Sequence, residues 1–431
     1  MRTPRSPFLD STLSMLTGGY AWLPGLRRRT AGPMVHTRVM GQRAVALRGP
    51  EAVRFFYDER HVARATALPE PVQATLTGKR AVHTLDGPAH RERKAMFMSV
   101  LADQDRAADL VEQVCASWDE RASGWPGLPR VVVFDEAARA LGEGVCRWAG
   151  VPLGSAEVDG LARDMVTLVD GFATLAPRHW WARRARAHRE EWLAGLLGDR
   201  TAVPAGSVAD IVRQHRENGE RLNPLTAAVE LLGIIRPTVA VAWYVAFAAH
   251  AMHRWPQNRE WLKSGDPAYA DAFAQEVRRF YPFAPYVAAR AVKDLTWVGE
   301  PIPEGTLILL DLYGQNHDAG LWDAPYSFDP ERFVGATVGR DDLVPQGGGD
   351  PYTGHRCPGE AVTVALLRAL AVRLARLRYT VPPQDLSISL RRIPTRPRSG
   401  FVITGVHTTG AQDTPVRTPE PAARPSGTPR A

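Results

Sequence analysis

The segment from Leu225 to Arg254 is a long apolar stretch with helical character, and two unfavourable residues stand at its centre. It contains Leu-Leu-Gly-Ile-Ile-Arg-Pro-Thr-Val-Ala-Val-Ala-Trp-Tyr, in which Arg236 and Pro237 are adjacent. Proline inside a helix costs about 3 kcal/mol, and a guanidinium in apolar surroundings needs an anion or a hydrogen-bond network. The pair therefore predicts a kinked helix that aims a fixed cation into a cavity.

Two other interpretations of this segment exist. Arg236 could pair with a buried Glu or Asp and only hold helices together, and the segment alone does not decide against this alternative. A transmembrane helix is disfavoured because only sixteen uncharged residues separate Arg236 from His253, and Glu230 lies on the other side. We expect a core helix of a soluble protein, with no integral membrane segment.

A glycine-rich loop that contains a cysteine precedes a second apolar-periodic stretch. The loop runs Gln-Gly-Gly-Gly-Asp-Pro-Tyr-Thr-Gly-His-Arg-Cys-Pro-Gly-Glu from Gln346 to Glu360. Where a helix begins, free backbone N–H groups, the helix dipole and the cations His355 and Arg356 favour the thiolate of Cys357. Glycines on both sides let a backbone approach something flat and large.

Cys357 is therefore a candidate metal ligand. A zinc site would need partners, but the other cysteines, Cys115 and Cys146, are isolated and lack Cys-x-x-Cys spacing. A lone cysteine is more often a small buried hydrophobe, and the polar loop disfavours that interpretation here. A thiolate supplied alone fits haem iron better than other metals.

Two further motifs, taken with the cysteine loop, resemble the cytochrome P-450 superfamily. Glu276 and Arg279 lie three residues apart on one helical face, and Arg332 follows about fifty residues later in Pro-Glu-Arg-Phe. In the superfamily, the corresponding residues form a buried ion triad behind the haem. The resemblance implies this structural role here, a mainly α single-domain fold with minor β, and haem b with Cys357 as its axial ligand.

Within that superfamily, the stretch from about Leu9 to Val406 is most similar to the bacterial fatty-acid peroxygenases, which use hydrogen peroxide. Ordinary members carry an acid-alcohol pair in the central helix to relay protons, whereas this chain has Arg236-Pro237, as that branch does. The loop also has Asp350 where monooxygenases usually have phenylalanine. The resemblance implies an enzyme that hydroxylates long-chain fatty acids at Cα or Cβ with hydrogen peroxide, without an obligatory redox partner.

The resemblance also implies a mechanism. Arg236 would hold the carboxylate of the fatty acid in a charge-assisted pair. That carboxylate would serve as the acid-base group for peroxide, while the Cys357 thiolate pushes electron density toward the O–O bond. Two alternatives stay open: a reductase-dependent haem monooxygenase, which Arg236-Pro237 disfavours, and a non-catalytic protein that binds haem and fatty acid.

Product choice is expected to depend on His83. In the resembled family, this position is glutamine in mainly hydroxylating members and histidine in members that favour decarboxylation to terminal alkenes. Thr77 stands where relatives usually have a phenylalanine near this residue, so we expect a mixture of hydroxylation and decarboxylation. Phe172 and Phe283 match hydrophobic pocket positions, although each could equally be a plain core aromatic.

Anion-binding side chains are expected around the haem. The resemblance implies that Arg64, His90 and Lys94 bind the propionates, and His355 lies in the cysteine loop as a further candidate. His90 and Lys94 are one helical turn apart, so both can reach one anion. For Arg93 we expect a surface charge instead.

Composition is consistent with one large enzyme domain. The chain has 431 residues, of which 45% are hydrophobic, enough for a substantial core. Residues 408–431 are rich in Pro, Thr, Arg and Ala, which predicts a disordered tail after a haem-thiolate peroxygenase domain at 1–407. The absence of a signal-like stretch and the three cysteines favour the cytoplasm.

The net charge of +7 raises the question of nucleic acid. No recognition motif accompanies it, so we expect no nucleic-acid partner. The densest basic run, from Arg178 to Arg189, has helical spacing, and we expect a solvated helix face. An attractive surface for anionic lipids or fatty acids is the second interpretation.

Periodicity predicts the remaining elements. Helices are expected at Glu51–Tyr57, Ala89–Leu101, Asp105–Trp125, Val131–Ala149, Ser155–Thr174, Arg178–Leu197, Val208–Glu217, Pro267–Tyr281 and Glu360–Leu377. Strands are expected at Val35–Leu47, Val287–Val298, Leu307–Leu312, Leu386–Ile393 and Gly400–Val406.

Overall fold

Helices make up most of the protein. The computed structural model describes residues 10–172, 174 and 177–407. The α-helices are α1 (Thr12–Gly18), α2 (Trp22–Arg27), α3 (Pro50–Phe56), α4 (Glu70–Val72), α5 (Gly87–Leu101), α6 (Gln104–Ser123), α7 (Val133–Ala149), α8 (Val158–Asp170), α9 (Pro177–Gly198), α10 (Val208–Gln214), α11 (Pro224–Val239), α12 (Val241–Arg254), α13 (Gln257–Ser264), α14 (Pro267–Phe280), α15 (Leu312–Asn316) and α16 (Glu360–Arg376).

Short strands form small sheets beside this helical body. In the main sheet the strand order is β1-β2-β10-β7-β3, with β10 parallel to β2 and antiparallel to β7, and a smaller sheet has the order β11-β12-β4. Two hairpins, β5-β6 and β8-β9, complete the set in the described chain. The strands are β1 (Val35–Val39), β2 (Gln42–Leu47), β3 (Val62–Ala63), β4 (Val131–Val132), β5 (Arg216–Glu217), β6 (Glu220–Arg221), β7 (Tyr286–Ala291), β8 (Leu295–Trp297), β9 (Glu300–Ile302), β10 (Leu307–Asp311), β11 (Arg378–Thr380) and β12 (Val402–His407).

The central apolar segment folds as α11 and α12, which are separated only at Ala240. Asn223 caps α11 by accepting a hydrogen bond from the Thr226 amide at 2.9 Å, and a proline occupies the first turn, where no amide donor is needed. The predicted interruption is present, because regular α-helix gives way to a turn three residues after Pro237.

This segment lies at the centre of the core. Helix α11 packs against α9 and α7, and α12 packs against α7 and α16. By length and composition the segment could cross a membrane, but 83% of its most apolar window is buried inside the protein. Burial on all sides explains why the helix is apolar all round. The prediction of a core helix agrees with this packing.

Several predicted elements need correction. The strand expected at Leu386–Ile393 is wrong: Leu386 and Ile388 contact the core singly, while the Arg398 amide donates to the Ser387 carbonyl and the Ser399 amide to the carbonyl of Asp385, just before this stretch. Pro394 and Pro397 lack amide donors, so that loop cannot pair as a regular strand.

Two helices end earlier than predicted. The helix expected at Val208–Glu217 ends at Gln214, because the next residues enter the hairpin β5-β6. The helix expected at Ser155–Thr174 ends at Asp170. The predicted disordered tail at 408–431 lies outside the described residues.

The basic run on α9 is not simply a solvated face. Arg186 is 3% exposed and Arg189 is 8% exposed, and they form ion pairs with Glu190 at 2.6 Å and Asp164 at 2.7 Å. The expectation was wrong for these two residues because acidic neighbours on α9 and α8 supply the counter-charges that burial requires.

The structure brings the three residues of the ion triad together. Arg279 binds the Glu276 carboxylate with both sides of its guanidinium, at 2.6 and 2.7 Å, and the Arg332 Nε lies 3.3 Å from the same carboxylate. Glu276 and Arg279 are fully buried. Arg279 also donates to the carbonyls of Asn316 and Pro325, both at 2.8 Å. The triad thus ties α14 to the chain that follows α15.

We predict that Glu276→Gln destabilises the fold by about 3–5 kcal/mol, because it leaves two buried guanidinium groups without their counter-charge. Denaturant unfolding at neutral pH measures the loss. Asp271→Asn is the control on the same helix: its pair with Arg368 is exposed, so the loss should stay below about 1 kcal/mol. Equal losses for the two variants would contradict a structural role for the triad.

Candidate active site

Cys357 lies in a tightly anchored loop before α16. Its amide donates to the Gln346 carbonyl at 3.2 Å, and the Gln346 side-chain amide lies 3.6 Å from the sulfur. Burial raises the pKa of the Cys357 thiol, whereas the Gly359 amide, the nearby Lys94 and the Gln346 amide lower this pKa. These donors face a thiolate and would stabilise it once a metal offsets the cost of burial.

Gln346 is held by its own contacts. Arg278 donates to its side-chain oxygen at 3.2 Å, and its nitrogen donates to Thr363 at 3.1 Å. Arg278 also forms an ion pair with Glu360. The sequence analysis overlooked Arg278, because no motif marks an interaction across 68 residues.

The glycine triplet of the loop, Gly347 to Gly349, is explained by close packing against neighbouring side chains. A Cβ at Gly348 would lie 2.3 Å from Val53, and Cβ atoms at Gly347 and Gly349 would lie 2.6 and 2.7 Å from Tyr57. The triplet therefore lets the loop pack against α3. Gly359, near the cysteine, meets only an ordinary contact at 3.8 Å, and the expectation that glycines in this loop let the backbone approach a flat ligand stays a prediction.

A cluster of basic side chains lies beside the cysteine loop. The rings of His90 and His355 stack with centroids 3.8 Å apart, and Lys94 donates to the Arg356 carbonyl. Burial lowers the pKa of His90 to about 3 and that of Lys94 to about 8. Arg64 belongs to the same cluster, since its charge also lowers the pKa of His90.

This cluster has unused donors. In the part of the chain that the structure describes, Arg64 Nε and Nη1 and His90 Nδ1 are buried without a hydrogen-bond partner, whereas His355 Nε2 lies 3.5 Å from an oxygen of Asp86. Asp86 is the nearby carboxylate, and its oxygens accept from the amides of Arg64 and Ala65 at 2.8 Å each. Buried donors without acceptors are costly. They fit the two propionate carboxylates of a haem.

Arg236 carries a buried positive charge that has no anionic partner. Among the described residues it forms neither a salt bridge nor a hydrogen bond to a side chain. Burial and, to a smaller extent, the charge of Arg186 lower the pKa of Arg236 to about 9, and Cys357 acts in the opposite direction. The alternative interpretation, a structural ion pair of Arg236 with a Glu or Asp, is therefore not supported, because no described carboxylate pairs with this guanidinium.

His83, Arg236 and Cys357 come from three separate segments and face internal space. Each lies deep inside the protein and yet keeps part of its surface accessible. Burial lowers the pKa of His83 well below its ordinary value, and the charges of Arg236, His355, Lys94 and Arg64 act in the same direction. His83 is therefore a neutral imidazole at neutral pH.

The turn that carries His83 is attached to α11 by a buried ion pair. Glu230, 1% exposed, accepts from the Val82 amide at 2.9 Å. Arg93 is 3% exposed and pairs with both Glu230 and Glu217. The expectation that Arg93 is a surface charge was wrong, because these two carboxylates neutralise its charge inside the protein. Glu230, overlooked as a site residue, thus positions His83 relative to Arg236.

The hydrophobic candidates are less closely tied to this space. Phe283 stacks on Tyr244 of α12 with centroids 4.3 Å apart, so it belongs both to the core and to the same helix system as Arg236. Phe172 lies half-buried in the turn after α8. Thr77 is buried at the end of a π-helical turn, beside Gly78.

A buried cysteine faced by hydrogen-bond donors, a group of buried basic side chains with unpartnered donors and a buried ion triad together fit a haem-thiolate enzyme. A family model for cytochrome P450 matches residues 257–387. The putative cytochrome P450 135B1 of Mycobacterium tuberculosis is 24% identical over 409 residues, which cover 87% of this chain and 85% of that protein.

Solved structures agree over almost the whole chain. Cytochrome P450SP alpha (CYP152B1) is 40% identical with a TM-score of 0.90, and the match covers 93% of this chain and 100% of that one. Cytochrome P450EX alpha (CYP152N1), solved with myristic acid, is 37% identical over 95% of this chain and 100% of its own, with a TM-score of 0.90. A variant of cytochrome P450 OleT in complex with arachidonic acid is 34% identical over 96% and 100%, with a TM-score of 0.92.

The chain belongs to the cytochrome P450 superfamily and, within it, to the fatty-acid peroxygenase branch formed by the CYP152 enzymes. It is an oxidoreductase with a haem-thiolate cofactor.

We predict that Cys357→Ala abolishes thiolate ligation, because the chain places no other sulfur in the loop before α16. The reduced carbon-monoxide complex should lose the red-shifted absorption band that a thiolate ligand produces. Cys115→Ala is the control, since Cys115 is buried in α6, and it should keep the band. A persistent band in Cys357→Ala would refute this ligand.

Proposed function

We propose that the protein hydroxylates long-chain fatty acids at Cα or Cβ with hydrogen peroxide, with oxidative decarboxylation to terminal alkenes as a second outcome. The observation that carries this proposal is the buried Arg236 guanidinium without an anionic partner among the described residues. A cation in such a place creates a strong site for one carboxylate. Myristic acid and arachidonic acid, bound in two of the related structures, have that group.

Arg236 would bind the carboxylate and fix its orientation. A planar guanidinium can offer two parallel N–H donors to two carboxylate oxygens. Held in this way, the substrate presents the carbons next to its carboxylate, while the rest of the chain extends away. Attack is then confined to Cα or Cβ, because positioning decides which C–H bond is near the reactive centre.

The bound carboxylate would also supply the acid-base group. Haem, when bound to Cys357, supplies the oxidising chemistry with hydrogen peroxide. Glu230 lies on the same helix as Arg236, but one of its oxygens is engaged by Arg93 and by the Val82 amide, and burial raises its pKa to about 7. A substrate carboxylate beside Arg236 can accept a proton from one peroxide oxygen and return it to the other.

His83 would influence the product through a neutral imidazole. Because burial and four neighbouring cations lower its pKa, His83 donates from one ring nitrogen and accepts at the other. Its Nδ1 is buried without a partner in the described structure. A single donor or acceptor near the substrate can favour loss of the carboxyl group over return of a hydroxyl.

Two other functions give different results in the same assay. A reductase-dependent monooxygenase would need NADPH and a redox partner and would give little product with peroxide alone. A fatty-acid carrier would bind lipid but release it unchanged. Incubating the haem-loaded protein with palmitic acid and hydrogen peroxide, followed by mass analysis of the products, separates all three.

We predict that Arg236→Ala lowers fatty-acid turnover by well over tenfold, because losing a charge-assisted pair in a dry site costs about 2–5 kcal/mol. Turnover of palmitic acid with peroxide measures this loss. Arg184→Ala, which removes an exposed cation from α9, is the control and should leave turnover unchanged. Adding a short carboxylic acid should allow oxidation of a substrate that lacks a carboxylate. Near-normal turnover in Arg236→Ala would refute the mechanism.

We predict that His83→Gln shifts products from alkene toward hydroxy acid. Glutamine offers a donor and an acceptor on a flexible chain, whereas the imidazole of His83 holds them on a rigid ring. The ratio of terminal alkene to hydroxy acid from palmitic acid measures the effect, with fatty-acid affinity as a check that binding persists. An unchanged ratio with unchanged affinity would make His83 a purely structural residue.

We predict that fatty-acid affinity falls as the pH rises through about 9. In the free protein, burial lowers the pKa of Arg236 to about 9, so the charged form is complete below this pH and is lost above it. Because the bound carboxylate favours the charged form, each further pH unit should weaken binding by up to about tenfold. Titration with palmitate from pH 7 to 10 tests this. A constant affinity from pH 8 to 10 would contradict it.

A further inference from the structure

A second pocket opens at the surface, between α2 and the chain that follows β10. Its volume is about 410 Å³, within the range of small-molecule sites. Basic and aromatic side chains dominate its lining, and the proposed function assigns them no role. They are Arg27, Arg28, Arg48, Tyr313, His317 and Tyr326.

The pocket has an excess of positive charge. Asp318 is the carboxylate in its lining, and it pairs with Arg48 at 3.0 Å. Arg27 donates to the Pro33 carbonyl at 2.9 Å, and Arg28 is exposed without an ion pair among the described residues. Asp311 lies behind the wall, and burial raises its pKa to about 7. Three arginines against two carboxylates leave one positive charge even when both acids are ionised.

One wall of the pocket is an aromatic stack with a free outer face. Tyr326 is 66% exposed and stacks on His317 at 5.2 Å between centroids, and His317 in turn contacts Tyr313 at 4.3 Å. The Tyr313 carbonyl lies 2.9 Å from His317 Nδ1 and fixes this ring. Burial lowers the pKa of His317 to about 4, so the stack is uncharged at neutral pH.

We propose that this pocket binds a nucleoside phosphate. The arginines suit phosphate oxygens, because a guanidinium forms paired, charge-assisted hydrogen bonds with them. The outer face of Tyr326 suits the base, since planar heterocycles stack on exposed aromatic rings. The two features are adjacent in one pocket, so a ligand with both a ring and phosphates uses more of it than either group alone.

Calorimetric titration of the haem-loaded protein with ADP, adenosine and pyrophosphate tests this proposal. We expect ADP to bind at least about tenfold more tightly than adenosine or pyrophosphate, because only ADP occupies both features. Absence of saturable binding of ADP up to millimolar concentration would overturn the proposal. So would equal binding of pyrophosphate, because the aromatic wall would then contribute nothing.

Matched variants locate the binding. Arg28→Glu and Tyr326→Ala should each weaken ADP binding at least about tenfold, and both side chains are exposed, so the fold should persist. The controls are Arg29→Glu, an adjacent exposed arginine outside the pocket lining, and Tyr352→Ala, an exposed tyrosine elsewhere. Equal effects in test and control variants would overturn the assignment of the site.

Discussion

The uncompensated charge of Arg236 is the constraint on which the active site depends. A guanidinium inside an apolar helix is costly unless something negative answers it, and the described protein supplies no acid for it. Neighbouring Arg186 is also a cation, so the local field makes the cost larger. The fold therefore holds a destabilising feature at its centre, and the rest of the structure must be stable enough to retain it.

The packing of the neighbouring helices and a buried ion triad provide that stability. The apolar sides of α11 and α12 are buried against α7, α9 and α16, and the Glu276 triad ties α14 to the chain beyond α15. The basic side chains beside the cysteine loop resemble Arg236 in one respect, since Arg64 and His90 also bury donors without partners in the described chain. Under the proposed function, these donors would bind the propionates of the haem and Arg236 would bind the carboxylate of the substrate.

Sequence patterns predicted the central helix well, because an apolar run of this length inside a large chain has few other solutions. The motifs also predicted that the fold would bring Glu276 together with Arg279 and Arg332, whereas the stacking of His90 on His355 was not predicted. Local patterns failed where partners come from distant segments. Arg93 read as a surface charge because its partners, Glu217 and Glu230, lie more than 120 residues away.

Other errors have the same origin. The alternation at Leu386–Ile393 is genuine, but a strand also needs a neighbour with free amide donors, and prolines limit the facing loop. The glycine triplet before Cys357 was considered only for approach to a ligand, whereas the side chains of Val53 and Tyr57 leave no room for a Cβ at these positions. Hydrophobic periodicity indicates which side of a segment faces the interior, but it does not indicate which other segments contact that side.

Because Glu230 is paired with Arg93 and holds the turn before His83, helix α11 sets the distance between His83 and Arg236. Glu230 fixes the amide that precedes His83, and Arg236 stands six residues further along the same helix, a rise of about 9 Å. The separation of imidazole and guanidinium is therefore set by helical geometry rather than by loop conformation. Loop substitutions around His83 can be absorbed, whereas a single inserted residue between Glu230 and Arg236 would rotate the guanidinium by about 100°.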